Sequence, residues 1–311
     1  MLAQVASSLL AAVAVAATAT GDFALPRAGK SAGLPLKLVD FVGSDKWLAW
    51  AKSNGCPWTE NTSALVAQGG HVEALMLARQ HGCPWDADTC KAAARGGYLE
   101  VLRWAREQSC EWDARACTYA AGGGHLEVLT WAREHGCEWD ECTCAHAAQG
   151  GHLEVLKWAR SHHRPWQEDH EDGLDPDLDC CALATAGGHL EVLMWARAHH
   201  CPWDAGTCAW AARAGHLEVL KWAREHGCEW DVETCTCAAV GGHLDVLKWA
   251  REHHCEWDAE TCLLAAWNGR LQVLKWAVEN GCPWVADRCA LFADRRGHVK
   301  LAQWVRAQSA L

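Results

Sequence analysis

A short turn signal returns along this chain at a fixed interval: Gly70-His71, Gly97-Tyr98, Gly124-His125, Gly151-His152, Gly188-His189, Gly215-His216, Gly242-His243, Gly269-Arg270 and Gly297-His298. The interval is 27 residues, with ten extra residues between His152 and His189 and one before His298. Self-similarity at such a period marks one supersecondary unit that cannot bury its apolar face alone and is stable only when stacked on its neighbours. Within a unit, an alanine-rich stretch such as Thr89 to Arg95 leads to Gly96-Gly97 and then to Leu99-Glu100-Val101-Leu102-Arg103-Trp104-Ala105-Arg106. Leu99, Leu102 and Ala105, with Val101 and Trp104 beside them, make an apolar face at helical spacing. A leucine-rich repeat has a comparable length, but it needs a Leu-x-Leu strand and an Asn or Cys ladder, a pattern these units lack.

Each unit therefore predicts two helices of about eight to ten residues, and the fold class is all-α. Asp86 stands where an N-cap accepts a backbone N–H, and the glycine pair supplies the left-handed residue that ends the first helix. Helices this short are marginal in water, where isolated helices need roughly 12 to 15 residues. Stacking must hold them. Residues 1–30 read as an Ala-rich N-terminal segment, 31–58 as a degenerate capping repeat, and 59–311 as the repeat array with an acidic insertion near 167–179. The closing helix from Val299 carries Lys300, Gln303 and Arg306 on its polar side.

Ala93-Ala94, Gly97, the run Leu99-Glu100-Val101-Leu102 and the turn Gly136-Cys137-Glu138-Trp139-Asp140 together resemble the ankyrin-repeat family, over about residues 36 to 311. The resemblance implies a helix-turn-helix repeat solenoid that binds other proteins. A standard ankyrin unit has about 33 residues. The six absent here fall between the loop Trp and the alanine-rich helix, where the family builds a projecting hairpin finger. With the fingers clipped, contact is expected to move to the concave face lined by the first helices.

The formal charge of −11 and a pI near 5.9 exclude the electrostatic footprint of a nucleic-acid or anionic-membrane binder. The chain has 21 Trp against 3 Phe and 2 Tyr, and the Trp fall into two ladders. Trp104, Trp131, Trp158, Trp195, Trp222, Trp249 and Trp276 lie on second helices. Trp85, Trp112, Trp139, Trp166, Trp203, Trp230, Trp257 and Trp284 lie in the turns. Both sets are expected to fill inter-repeat space, because large aromatics dominate core burial. A single-strand stacking platform would need interleaved basic residues.

Nineteen cysteines also follow the repeat, in pairs seven apart such as Cys83 and Cys90, Cys110 and Cys117, or Cys228 and Cys235. Equivalent cysteines of neighbouring units should lie one helix spacing apart, roughly 8 to 10 Å, beyond disulfide reach. Cys56 has Ser63 at its partner position, and Cys181 has Arg164, so each cysteine is lost without its mate. Separately buried thiols are the expected state, with disulfides the alternative if the chain is secreted. The apolar run Leu9 to Ala17, followed by Ala17-Thr18-Ala19, reads as a signal peptide or as an Ala-rich extension without a basic start. A cytoplasmic location is expected, or a secreted or organellar one if residues 1–19 are cleaved. The 18 His show neither a C-x-x-C nor an H-x-x-x-H pair in any repeat, so backbone-bonded or solvated His are expected, and no metal or cofactor.

The insertion carries Glu168, Asp169, Glu171, Asp172, Asp175, Asp177 and Asp179. It lacks the glycine and closing glutamate of a calcium loop in register, so it reads as a solvated loop or an electrostatic contact for a basic partner. It is also the one interruption of the repeat, and it holds no nucleophile and base pair, only His170; no enzymatic activity is expected. The position two after the first-helix Cys varies between units while its neighbours do not: Ala92, Tyr119, His146, Leu183, Trp210, Cys237, Leu264 and Leu291. With Trp267, a Trp outside both ladders, the row Tyr119, His146, Leu183, Trp210 and Leu264 is the candidate protein-binding stripe of a monomeric scaffold. The alternative is a disulfide-stiffened structural repeat protein.

Overall fold

The computed structural model describes residues 59–139, 142–162 and 180–309. They form 18 helices, with no strand among the described residues. The chain divides into two compact units, one ending at Thr143 and one beginning at Cys144. The first contains α1 (Glu60–Gln68), α2 (Val72–Gln80), α3 (Ala87–Gly96), α4 (Leu99–Glu107), α5 (Ala114–Gly122) and α6 (Leu126–Glu134). The division falls inside α7 (Cys142–Gln149). The second continues with α8 (Leu153–Ser161), α9 (Cys180–Gly187), α10 (Leu190–Ala198), α11 (Ala205–Ala214), α12 (Leu217–Glu225), α13 (Val232–Gly241), α14 (Leu244–Glu252), α15 (Ala259–Trp267), α16 (Leu271–Glu279), α17 (Ala286–Arg295) and α18 (Val299–Ser309). Odd-numbered helices are the first of each hairpin and even-numbered ones the second.

First helices pack on first helices. In the first unit α1 packs on α3 and α3 on α5; in the second, α9, α11, α13, α15 and α17 pack in succession. Small side chains permit this approach: Ala93 and Ala94, Ala211 and Ala212, Ala238 and Ala239 and Ala265 and Ala266 are fully buried. The second helices supply the bulk, through Leu102 and Leu129 in the first unit and Leu193, Leu220, Leu247 and Leu274 in the second, all fully buried. No helix among the described residues is long and apolar enough to cross a membrane.

Local chemistry sets both ends of several first helices. The Asp86 carboxylate accepts the N–H of Asp88 at 3.0 Å, and Asp113, Asp231 and Asp258 cap their helices the same way. Asp204 forms a reciprocal box with Thr207. The closing hairpin departs from this: Val285 replaces the aspartate and makes no side-chain cap. At the C-terminal ends Gly97, Gly215 and Gly242 take φ of 78°, 83° and 88°. Only glycine adopts this region without strain.

Those glycines have a second reason to lack a side chain. A Cβ on Gly97 would stand 2.5 Å from the imidazole of His125, and one on Gly215 would stand 2.4 Å from His243. The histidine of each following turn thus lies in the place of the missing side chain. Its Nε2 then donates to the carbonyl that ends the preceding first helix: His125 to Arg95 at 3.0 Å, His189 to Gln149 at 2.9 Å, His216 to Ala186 at 3.2 Å and His298 to Trp267 at 3.1 Å. A carbonyl can only accept, so the proton sits on Nε2. Where the turn carries Arg270 instead, its Nε donates to Val240 at 3.0 Å. The expectation of backbone-bonded histidines is met by these contacts between repeats.

The tryptophans correct the expectation of a buried ladder. Every described Trp is half-buried, and the core is built of Leu, Val, Ala and Cys. The reason is position: Ala and Leu already fill the space between repeats, which leaves the second-helix Trp on the flank.

Glycine substitutions separate backbone strain from crowding. A Cβ added to Gly227, at φ 86°, would meet nothing within 4 Å, so Gly227→Ala should cost only the left-handed penalty of about 1 to 2 kcal/mol. Gly215→Ala must also displace His243 and should cost about 1 to 3 kcal/mol more. Urea unfolding of the two variants checks this; equal losses would mean that the imidazole does not pack on the turn.

Candidate functional site

Three features recur in the hairpins: the variable row on the first helix, an aromatic and cationic flank on the second, and a buried chain of thiols. In the first unit Tyr119 is half-buried on α5, with the Lys91 ammonium 5.7 Å and the Arg95 guanidinium 5.6 Å from its ring. In the second unit His146, Leu183, Trp210 and Leu264 are half-buried on α7, α9, α11 and α15. Because α11, α13, α15 and α17 pack in succession, Trp210, Cys237, Leu264 and Leu291 form a continuous row. Leu291 is 47 % exposed. Leu263, one residue from Leu264, turns inward and is only 5 % exposed, which fixes the face that the row presents.

Trp267 ends α15 and makes an edge contact with Phe292, with ring centroids 5.1 Å apart. The Arg296 guanidinium lies 5.0 Å from the Trp267 ring, and that of Arg213 lies 5.5 Å from Trp210. Both arginines are exposed. The row is therefore apolar but flanked by cations, in a chain that is acidic as a whole. The acidic insertion, Glu168, Asp169, Glu171, Asp172, Asp175, Asp177 and Asp179, lies outside the described residues.

The flank of the second helices has its own repeating geometry. The turn Trp meets the following second-helix Trp edge-on: Trp85 with Trp104 at 5.6 Å, Trp203 with Trp222 at 6.0 Å, and Trp230 with Trp249 at 5.6 Å. The arginine of the second helix stacks on the turn Trp that follows it, as Arg224 does on Trp230 at 4.2 Å and Arg251 on Trp257 at 4.2 Å. The same guanidinium donates to the carbonyl of the turn cysteine, Cys228 or Cys255. One planar cation thus bonds the turn backbone and covers the turn ring, which a lysine could not do. Histidine completes the flank: His226 stacks on Trp222 at 4.1 Å and its Nδ1 donates to the Trp222 carbonyl at 2.8 Å. Taken one residue type at a time, Arg, Trp and His do not disclose this arrangement; the recurring Arg-Glu-His-Gly-Cys-Glu-Trp segment is the signal in the sequence for their joint role. A shallow recess of about 410 Å³ opens on this flank among Met76, Arg79, Gln80, Trp104 and Gln108.

Of the 18 described cysteines, all but Cys142 and Cys237 are buried. A first-helix cysteine meets the turn cysteine twenty residues on, at the end of its own hairpin, rather than the one seven residues before it. Ser63, which stands at the first-helix cysteine position, shows the geometry: its Oγ donates to the Pro84 carbonyl at 2.8 Å and lies 3.3 Å from Cys83 Sγ, which in turn donates to the Thr59 carbonyl at 3.6 Å. Elsewhere the hydroxyl is a thiol. The same two positions carry Cys90 and Cys110, Cys208 and Cys228, Cys235 and Cys255, and Cys262 and Cys282, and Cys235 Sγ lies 3.9 Å from the Cys255 carbonyl oxygen. The turn thiols donate to the carbonyl of the residue that caps the first helix of their own hairpin: Cys110 to Asp86 at 3.3 Å, Cys228 to Asp204 at 3.2 Å and Cys255 to Asp231 at 3.2 Å. Helix periodicity hides this pairing because it depends on how the hairpin closes.

The Cys90–Cys110 pair is polarised. The bond from Cys90 lowers the pKa of the Cys110 thiol, and Cys90 itself is pushed up, first by donating that bond and then by burial. Cys201 receives bonds from both Cys180 and Cys181 and is brought down to about 5. Cys180 stands where other units carry a buried Thr, such as Thr207 or Thr261. Cys289 is raised to about 11 by burial. Among the described residues no group of three or more His, Cys, Asp or Glu side chains is arranged to hold a metal ion.

No family model matches this chain, and no curated protein matches it.

Replacing Arg251 with Lys keeps the charge but removes the planar stack on Trp257. The Arg251→Lys variant should lose about 1 to 2 kcal/mol. Its unfolding midpoint and its Trp emission check this; values equal to wild type would remove the stacking role.

Proposed function

We propose that this chain is a non-catalytic protein–protein interaction scaffold of the ankyrin-repeat type, contacting its partner through the first-helix face. The observation that supports this reading most directly is the behaviour of one position. Two residues after the first-helix cysteine, the side chain changes from His146 to Leu183, Trp210, Cys237, Leu264 and Leu291, each half-buried or exposed. The flanking positions hold the core: Cys208, Ala211 and Ala212 around Trp210 are fully buried, as are Cys262, Ala265 and Ala266 around Leu264. A surface that varies on a frame that does not is what a recognition site needs, since the frame sets where each variable side chain points.

The chemistry of the row describes its partner. Large apolar groups in the row, Trp210, Leu264, Leu291 and Trp267, offer anchors of the kind that dominate binding energy. Arg213 and Arg296 beside the two aromatic rings favour a partner whose apolar side chains are accompanied by carboxylates. The short unit supports the choice of face, because the projecting fingers of the resembled family have no residues to build them.

The test compares recovery of binding partners by the wild-type chain, by a Trp210→Ala, Leu264→Ala double variant, and by Met194→Ala on the second-helix flank. Met194 is 46 % exposed and lies on α10. The double variant should bind at least about tenfold more weakly, as loss of two anchors predicts, while Met194→Ala binds as wild type. Equal recovery by the double variant would remove the proposed face.

A further inference from the structure

Four first helices of the second unit present three tracks of side chains in parallel. Trp210, Cys237, Leu264 and Leu291 lie on α11, α13, α15 and α17, which pack in succession, and form the apolar centre. About one turn nearer the N-terminus, on the same helix face, stand Glu233, Glu260 and Asp287. All three are exposed, and none of them is in an ion pair among the described residues. At the C-terminal margin the exposed Arg213 and Arg296 lie against the rings of Trp210 and Trp267. Asp294 on that margin is paired with Arg306, so the basic sign prevails there. The hydroxyls of Thr236 and Thr261 meet at 3.2 Å beside the row and hold α13 against α15, which fixes the tracks relative to one another before a partner arrives. The face thus carries an acidic edge, an apolar centre and a basic edge.

We infer that the occupant of this face is an amphipathic α-helix of a partner protein, lying across the first helices with its apolar stripe on the row. Lysines or arginines on one flank meet Glu233, Glu260 and Asp287, and carboxylates on the other meet Arg213 and Arg296; this rests on the partner-binding reading of the row and adds the form of the partner. Width favours a helix over an extended segment. From Glu233 to Val240, or from Glu260 to Trp267, the face runs seven residues along the first helix. That is about 10.5 Å at 1.5 Å per residue, and a helix with its side chains is about 10 to 12 Å across. An extended strand turns alternate side chains toward and away from a surface, so it can cover the row without meeting both margins. Length agrees as well. First helices are spaced roughly 8 to 10 Å apart, and a heptad of partner helix advances about 10.5 Å, so each heptad brings one apolar group to each member of the row. The row is lowest at Cys237, between Trp210 and Leu264, which leaves a notch for one large partner side chain. A helix can exchange its two flanks only by turning end for end. The opposite charges of the two margins therefore admit the partner in one direction.

The test titrates two fluorescein-labelled helical peptides onto the full-length chain and reads fluorescence anisotropy. The first peptide has three heptads, leucine along the apolar stripe, lysine on one flank and glutamate on the other. The second has the same composition and the same stripe, with lysine and glutamate mixed on both flanks. The sorted peptide should bind at least about tenfold more tightly than the mixed one, and its advantage should shrink as salt is raised. A Glu233→Gln, Glu260→Gln variant and an Arg213→Gln, Arg296→Gln variant change exposed side chains, should unfold in urea like wild type, and should each reduce the preference for the sorted peptide. Trp210→Ala with Leu264→Ala should abolish binding of both peptides. A photo-crosslinker at the N-terminus of the sorted peptide should attach at the α11 end of the row or at the α17 end, not at both. The proposal is overturned if neither peptide binds, if both bind equally, if the charge variants leave the preference unchanged, or if cross-links form at both ends. It is also overturned if a peptide of residues 166–179 of this chain displaces the sorted peptide, since the occupant is then the chain's own insertion, or if the chain self-associates through the row. Failure of both peptides, while the Trp210→Ala, Leu264→Ala variant still loses the natural partner, leaves the face standing and removes the helix as its occupant.

Discussion

The contact on which both units depend is the seating of one repeat's turn residue in the space left by the preceding repeat's glycine. His243 fills the space at Gly215 and His125 the space at Gly97, and the imidazole Nε2 of residues in this position reaches back to a carbonyl that the helix itself cannot satisfy. A helix end leaves its last carbonyls without partners, and burying them unpaired is costly. The histidine solves both problems at once. It caps a helix and fixes the spacing of the next hairpin, so the alanine pairs of adjacent first helices meet in register.

The thiol relay does the same work at the other end of the hairpin. A turn cysteine donates to the carbonyl of the residue that caps the first helix of its own hairpin, as Cys255 does to Asp231. The guanidinium of Arg251 holds the Cys255 carbonyl and covers Trp257. Each turn is thus tied to backbone on two sides, which keeps a segment without secondary structure of its own in one conformation. Where this position carries a hydroxyl instead of a thiol, at Ser63, the contact with the turn sulfur is kept at 3.3 Å, so sulfur is not needed for packing there.

The two halves of each repeat divide their tasks by side-chain size. First helices approach closely because they present alanine, and this leaves the single larger position, that of Trp210 or Leu264, standing at the edge of the packed layer. Second helices carry the leucines of the core inward and Trp, Arg and His outward. The aromatic content of the chain is accordingly a property of its flank, where half-buried rings are screened by guanidinium and imidazole planes, as Trp222 is by His226.

The 27-residue period, the helix pairs, the aspartate N-caps and the left-handed glycines were all legible in the sequence, because each is set by interactions within a few residues of chain: an i,i+3 apolar face, a carboxylate two or three residues before an amide, a φ that only glycine adopts easily. So was the variable row, since its position relative to the first-helix cysteine is fixed by helix geometry. What the tertiary structure decided was everything that depends on hairpin closure and on the neighbouring repeat. First-helix and turn cysteines twenty residues apart are brought together because the turn folds back onto the first helix of its own hairpin. Tryptophan stays half-buried on the flank because the leucines of the second helices already fill the interior. Histidine serves the repeat before its own because the glycine there leaves a space of the right size. Period and local chemistry determine which helices form; the distance at which neighbouring repeats can pack determines which side chains meet.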